Sequence, residues 1–252
     1  MKKILSCNKS IASAMLLRDA LEERVGLHYL VSQEADKIGR DGCLIRYGNG
    51  FPIGDGYPDT EFNPPDFIEL CKDKMNFSKK MEELGILSPV FHYNGEPTPE
   101  QFPVLVRTTL IGSGGEGIKP CLNRDEFKEK FNAGDCWTPY YSVAYEIRAY
   151  IVGDQISHVY YKVPFAHQVN DVIKIRSQYH FSWTDSENKF GKLRRILTKI
   201  LEASKGKFFS LDAGWLPNLG EYIVFEANSG SWMNNTICRS LADFLAVNIK
   251  PE

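Results

Sequence analysis

Asp212, Glu226 and Asn228 are the residues of this 252-residue chain whose types and spacing best suit metal chemistry. They sit in LDAGW and VFEANSG, two apolar runs joined across residues 217–220. Side chains alternate along a strand, so Glu226 and Asn228 share a face, and folding the hairpin about Leu219 sets Asp212 opposite Glu226. Two carboxylates that close repel, or share a proton, unless a hard cation lies between them. Two carboxylates with an amide oxygen suit Mg²⁺, which also coordinates nucleotide phosphates. The plain alternative is an edge hairpin with solvated acids; the apolar neighbours Leu211, Val224 and Phe225 favour the metal reading.

A second stretch supplies the positive side of such chemistry. FPVLVRTTLIGSGGEGIKP, residues 102–120, is a short apolar strand that ends on Arg107 and runs into a glycine-dense loop. Gly112, Ser113, Gly114, Gly115 and Gly117 leave main-chain N–H groups able to close on phosphate oxygens, and a mobile surface hairpin is the alternative. Gly112, Gly114 and Gly117 satisfy G-x-G-x-x-G, but Pro120 stands where a dinucleotide fold needs its helix. A Walker loop needs lysine where Ile118 stands, and no H-R-D or D-F-G triplet follows for a protein kinase.

Other cations are spaced to join them. Lys74 opens a helix capped by Asp73, where it grips phosphate or is simply solvated. Glu146, Arg148 and Lys162 put charge into two apolar runs that flank the turn Gly153-Asp154, and such charge is costly unless it faces a site or solvent. In a regular hairpin Arg148 and Lys162 face opposite sides, so a shared role requires a bulge. Arg176 ends an alternating run. Trp137 and Tyr140, in the connector CWTPY, either sandwich a base or pack a junction.

The elements that must position these residues follow from periodicity. A strand near residues 3–6, a helix after Ser10 with Ala14, Leu16, Leu17 and Leu21 on one face, and strands near 27–31 and 43–47 make a small α/β lobe. The Pro- and Gly-rich passage 51–65 bounds it. The helix after Asp73 carries Phe77, Met81 and Leu84 and stops at Gly85; another begins at Asn123 with Glu126 completing a capping box and ends at Gly134. Ser186 and Glu187 open a helix with Phe190, Leu193, Leu197, Ile200 and Leu201 inward and Lys192, Arg194, Arg195 and Lys199 solvated.

The totals bound the possibilities. Hydrophobic residues at 43% and charged residues at 25% describe a globular chain, and the net charge of -2, with both signs mixed, gives no reason to expect a nucleic-acid partner, so none is expected. No apolar run has membrane-spanning length and the first residues do not form a signal peptide, so a cytoplasmic protein with no membrane partner is expected. Six scattered cysteines without a C-x-x-C pair fit free thiols rather than a zinc site or disulfide framework.

Over residues 66–235 the chain resembles the ATP-grasp superfamily, in particular the branch of the ribosomal-protein glutamate ligase, glutathione synthetase and D-alanine:D-alanine ligase. DKMNFSKKMEELGILSP resembles that family's first lysine helix, FPVLVRTTLIGSGGEGI its strand and flexible lid with Arg107 in place of the usual lysine, and YEIRAYIVGDQISHVYYK its "D-I-R" hairpin. KIRSQYH resembles "F-R-S-N-L-H", and LDAGW with VFEANSG its magnesium set. The resemblance implies an α/β (α+β) ATP-grasp fold: an N-terminal lobe over 1–65, a central subdomain with the glycine-rich lid over 66–140, and a C-terminal subdomain with the metal site over 141–252. It implies ATP and Mg²⁺, with Mn²⁺ as an alternative cation, held by Lys74, Arg107, the glycine loop, Trp137, Tyr140 and Glu146 for the nucleotide and by Asp212, Glu226 and Asn228 for the metal. Arg176, Lys162 and Arg148 become the catalytic cations. The implied activity is an ATP-dependent ligase joining a small-molecule or peptide carboxylate to an amine or thiol through an acyl-phosphate. A regulatory nucleotide-binding module and a small-molecule kinase of the same fold are the alternatives. Whether the chain acts as a monomer or a homodimer is left open.

Overall fold

The computed structural model describes residues 3–7, 11–25, 29–32, 43–48, 60–111, 117–164, 179–183, 190–231 and 233–248. The described residues make three sheets and six α-helices.

The first sheet is wholly parallel, order β2-β1-β3-β4, from β1 (Lys3–Cys7), β2 (Tyr29–Ser32), β3 (Cys43–Tyr47) and β4 (Thr60–Phe62). Parallel neighbours need a crossover, and α1 (Ile11–Val25) is the one between β1 and β2. Ala14, Leu17 and Leu21 of α1 are buried. Leu16 is exposed, because at 100° per residue it lies far round the helix from Ala14 and Leu21. The proposed cap Ser10 lies outside the described residues. Within the passage 51–65, residues 51–59 also lie outside them, while β4 extends the sheet. The chain's last helix, α6 (Asn235–Asn248), escaped the sequence reading. Its Ile237, Leu241 and Leu245 pack against α1, Ile45 and Tyr47, so the far end of the chain completes the first lobe's core.

The second sheet is antiparallel, order β6-β5-β7, from β5 (Val104–Arg107), β6 (Ile118–Cys121) and β7 (Cys136–Pro139). Residues 136–139, read as a connector, are a strand because Cys136, Trp137 and Thr138 are all buried beside β5. Helix α4 (Arg124–Lys130) lays Phe127 on Val104, Val106, Cys121 and Trp137. Asn123 caps it as expected, accepting from Glu126 N at 3.0 Å, but Glu126 does not complete the capping box, its carboxylate accepting instead from Leu122 N at 3.3 Å, and the helix ends at Lys130, four residues before Gly134.

The third sheet, order β10-β9-β8-β11-β12, is the largest: β8 (Tyr145–Val152), β9 (Gln155–Pro164), β10 (Tyr179–Trp183), β11 (Phe208–Leu216) and β12 (Glu221–Asn228), all antiparallel. One face is covered by α2 (Pro65–Lys72), α3 (Lys74–Glu83) and α5 (Gly191–Ser204), where Phe67, Phe77 and Leu197 meet Ile147, Ala149 and Leu211. Asp73 caps α3 as expected, its Oδ1 accepting from Met75 N at 2.9 Å and Asn76 N at 3.0 Å, and Gly85 turns the chain out at φ 64°. Ser186 and Glu187 fall outside the described residues. Lys192 and Lys199 are not simply solvated: Lys192 donates to Glu221 at 3.0 Å, and Lys199 Nζ reaches the Leu84 carbonyl at 2.9 Å, tying α5 to the end of α3. The other face of this sheet packs on the first lobe at one end, through Tyr150, Val152 and Phe208, and carries the charged residues at the other.

Two bulges decide which side chains occupy that charged face. The turn at Gly153-Asp154 pairs Val152 with Gln155, but Ser157 is an extra residue, so beyond it Tyr150 faces His158 and Arg148 faces Tyr160. Arg148 and Lys162 are thereby brought to one side. In the last hairpin Leu216 pairs with Glu221, which in regular register would set Phe225 opposite Asp212. Phe225 is instead the extra residue, and Asp212 pairs with Glu226.

Candidate active site

Across β9, β8, β11 and β12 one row runs Tyr160, Arg148, Asp212, Glu226, and the next runs His158, Tyr150, Ser210, Asn228. The sequence reading found the charged members and Asn228. It missed Tyr150 and Ser210, although each stands two residues along a strand from Arg148 or Asp212 and so on the same face.

Asp212, 2% exposed, is the hub. Arg148 grips it as a fork, Nε to Oδ1 at 2.6 Å and Nη2 to Oδ2 at 2.7 Å, and Lys162 Nζ adds a bond to Oδ2 at 2.9 Å. Burial alone would raise the carboxyl's pKa, but these two cations outweigh it and hold Asp212 well below the usual carboxylate range. Burial likewise disfavours the Arg148 cation, and the charge of Asp212 reverses that, leaving Arg148 above its ordinary value. Lys162 also meets Glu146 at 3.4 Å. Tyr150, 4% exposed, hydrogen-bonds Arg148, and burial pushes its phenol up to about 12.

Glu226 belongs to the same ensemble. Lys74, at the first turn of α3, meets its Oε2 at 3.1 Å, and Asn228 Nδ2 donates to its Oε1 at 3.2 Å. Lys74 is thus aimed at the site rather than at solvent. Arg107 arrives from the second sheet. Its Cζ lies 5.6 Å from the Phe91 ring centre, and its Nε is buried with no hydrogen-bond partner among the described residues. Burial lowers its pKa, opposed by the charges of Glu226 and Cys136. Its side chain is therefore partly unsatisfied and within electrostatic reach of a carboxylate of the third sheet.

The remaining expectations fare differently. Gly112, Ser113, Gly114, Gly115 and Arg176 lie outside the described residues. Gly117, at φ 72°, closes the loop's base: its carbonyl accepts from Thr108 N at 2.9 Å, and a Cβ there would stand 2.6 Å from Thr108 Oγ1. Trp137 is 3% exposed and stacked on His92 at 4.1 Å, with its Nε1 donating to the Gly95 carbonyl at 3.1 Å. That ring is core packing and offers no face for a base. Tyr140 is half-buried, its N–H held by the Pro103 carbonyl at 3.0 Å.

Asp212, Glu226 and Asn228 present only hard oxygen donors from adjacent strands, the set a divalent oxygen-seeking cation takes. No cluster of three His, Cys, Asp or Glu suited to a metal occurs among the described residues; this set is two carboxylates and an amide. It fits Mg²⁺ in kind, with Arg107's unsatisfied Nε supplying the cationic side that a phosphate ligand requires.

No protein-family model and no curated protein matches the chain. Solved structures do. The ATP-grasp ligase PsnB, complexed with a phosphomimetic variant of its minimal precursor, Mg and ADP, superposes with a TM-score of 0.69 at 12% identity over 99% of both chains. A RiPP-associated ATP-grasp ligase of Chryseobacterium gregarium, in complex with ADP and a leader and core peptide, gives 0.68 at 14% identity over 100% of this chain and 98% of that one. A RimK domain ATP-grasp protein of Sphaerobacter thermophilus gives 0.64 at 12% identity over 97% and 99%. At such low identity the likeness speaks to architecture, and it is end to end: the chain has the ATP-grasp fold.

Proposed function

We propose that this protein is an ATP-dependent ligase that activates a carboxylate as an acyl-phosphate and passes it to an amine. One observation carries the reading. Three cations from separate elements, Lys74, Arg148 and Lys162, bond to Asp212 and Glu226 on one face of the third sheet, and the charge of Glu226 acts on a fourth, Arg107 of the second sheet. Buried ion clusters are poor stabilisers, since desolvation offsets their attraction. Their concentration in one place instead suits a site that handles polyphosphate. The solved neighbours support ATP and Mg²⁺ as the ligands; Mn²⁺ has no such support.

In the reaction a carboxylate oxygen attacks the γ-phosphorus, the bond to the β,γ-bridging oxygen breaks, and ADP leaves. The amine nitrogen then attacks the acyl carbon, phosphate departs, and the nitrogen gives up a proton. Bound Mg²⁺ supplies charge neutralisation at the phosphates, held by Glu226, Asn228 and Asp212. Lys74, Arg107 and Lys162 orient the phosphate oxygens, and Arg148, with Arg176 as the resemblance implies, would stabilise the transferred group. Closing the glycine loop would exclude water and so limit hydrolysis of the acyl-phosphate. A hydrogen bond to Tyr150 helps to hold the Arg148 side chain in place. The precursor and core peptides in the solved neighbours favour a peptide carboxylate as the substrate class.

An ADP-release assay with pooled amino acids and peptides tests this. Turnover that depends on an added amine is expected, and Glu226→Gln should abolish it without changing the circular dichroism spectrum. Amine-independent phosphate transfer indicates the kinase alternative, nucleotide binding without turnover the regulatory module, and turnover that survives Glu226→Gln refutes the metal assignment.

A further inference from the structure

The carboxylate best placed to take the metal is the one already claimed by the cations best placed to take phosphate. Asp212 accepts three charge-assisted bonds from Arg148 and Lys162, and almost none of it is exposed. A divalent cation brought to the same oxygens would stand within a few ångströms of a guanidinium and an ammonium, a strongly repulsive arrangement inside a protein. Only an incoming anion relieves it. Glu226 is less committed: it is a quarter exposed, with one salt bridge at 3.1 Å to Lys74.

We propose that Asp212 is the internal counter-ion of Arg148 and Lys162 in the nucleotide-free protein, and becomes a metal ligand only by exchange of partners, when those two cations pass to the phosphates of a nucleotide. The inference rests on the nucleotide reading above and adds a coupling to it. Nucleotide and metal each remove the obstacle to the other, so each must tighten the other's binding by the same factor. Glu146, at 3.4 Å from Lys162, is the group that keeps the lysine from being stranded during the exchange.

Calorimetric titration of ADP, once in EDTA and once with Mg²⁺, gives the sign. For Asp212→Asn, the metal-free affinity for ADP should rise about tenfold, because the cations no longer have to leave a charged partner, and the gain on adding Mg²⁺ should shrink. Loss of a carboxylate that merely bound metal would gain only the relief of its own repulsion for the phosphates, a smaller effect than release of two bonded cations. A folded Asp212→Asn protein with unchanged or weaker metal-free binding overturns the exchange. If that variant does not fold, Glu146→Gln removes the second carboxylate on Lys162 and leaves its bond to Asp212: metal-free ADP should tighten severalfold, by less than for Asp212→Asn, with the Mg²⁺ gain retained, and failure to tighten is equally fatal. Wild-type protein that takes up no ADP in either buffer removes the nucleotide reading itself, and this inference with it.

Discussion

Replacing Arg107 by methionine should make the protein more stable and its nucleotide binding weaker. The opposite signs come from where the guanidinium sits. At the end of β5 it is held over Phe91, and its buried Nε has no partner among the described residues. A buried polar group left unsatisfied costs about 1–3 kcal/mol, against which the contact with Phe91 returns about 0.5–1 kcal/mol. Methionine keeps most of the volume and removes the charge, so a net gain of about 1 kcal/mol is expected, or roughly 2–4 °C in Tm for a chain of this length. With nucleotide the account reverses. A charge-assisted hydrogen bond contributes about 1.5–3 kcal/mol, and its loss should raise Kd by roughly 10- to 150-fold. Differential scanning calorimetry and isothermal titration with ADP and Mg²⁺ read the two effects separately. Arg107→Lys restores the charge, though not the planar fork, and should recover most of the affinity. A methionine variant that melts several degrees lower would make Arg107 a structural residue, and one that binds ADP as tightly as wild type would remove it from the site.

Two further expectations concern stability. Asn63 is fully buried, with φ 59°; its Oδ1 accepts from Lys207 N at 2.8 Å and Phe208 N at 3.1 Å, and its Nδ2 donates to the Phe208 carbonyl at 2.6 Å, pinning the end of the first lobe to the start of β11. Asn63→Ala strands all three backbone groups and should cost about 2–4 kcal/mol, seen as a lower urea midpoint; a change below 1 kcal/mol would show that the pin is dispensable. The second expectation is a pH dependence. Arg148 and Lys162 depress the pKa of Asp212 below its unfolded value near 3.9. The stability this contributes is therefore complete above about pH 4 and is lost only as pH falls towards the folded-state value. Circular dichroism melts should show no contribution from Asp212 to any stability change between pH 7 and 5, and Asp212→Asn should flatten only the limb below pH 4. A difference between the two proteins' pH slopes at pH 5–7 would contradict the assignment.

Much of the fold was legible because its signals are local. The cap at Asp73, the left-handed Gly85, the turn at Gly153-Asp154 and the strand ending at Arg107 all depend on neighbouring residues, and all are present. What could not be read depends on distant partners. Helix α6 has a clear apolar repeat, but only the fold shows that it completes a core begun more than 200 residues earlier. Lys199 looks like any solvated lysine until the Leu84 carbonyl is beside it. Trp137 reads as a platform for a base because aromatic composition does not reveal that His92 occupies its face.

The site itself turns on parity. Alternation alone puts Lys162 on the wrong side of β9, and the observed turn at 217–220 alone sets Phe225, an apolar ring, opposite Asp212. Each of the two bulges, at Ser157 and Phe225, inserts one residue and corrects the parity, so that the charged residues of both hairpins share one face. The sequence carries the need for the first bulge, because Arg148 and Lys162 cannot otherwise cooperate, but hides the second, because guessing the turn one position further along gives the same pairing of Asp212 with Glu226. A strand that spends a residue to bring Lys162 onto the buried Asp212 gains little stability from doing so, since a buried ion pair scarcely exceeds an apolar pair of the same shape. What the bulges secure is the convergence of Lys162 and Glu226 on Asp212 and Arg148, an arrangement that suits the proposed occupation by a polyanion and its metal.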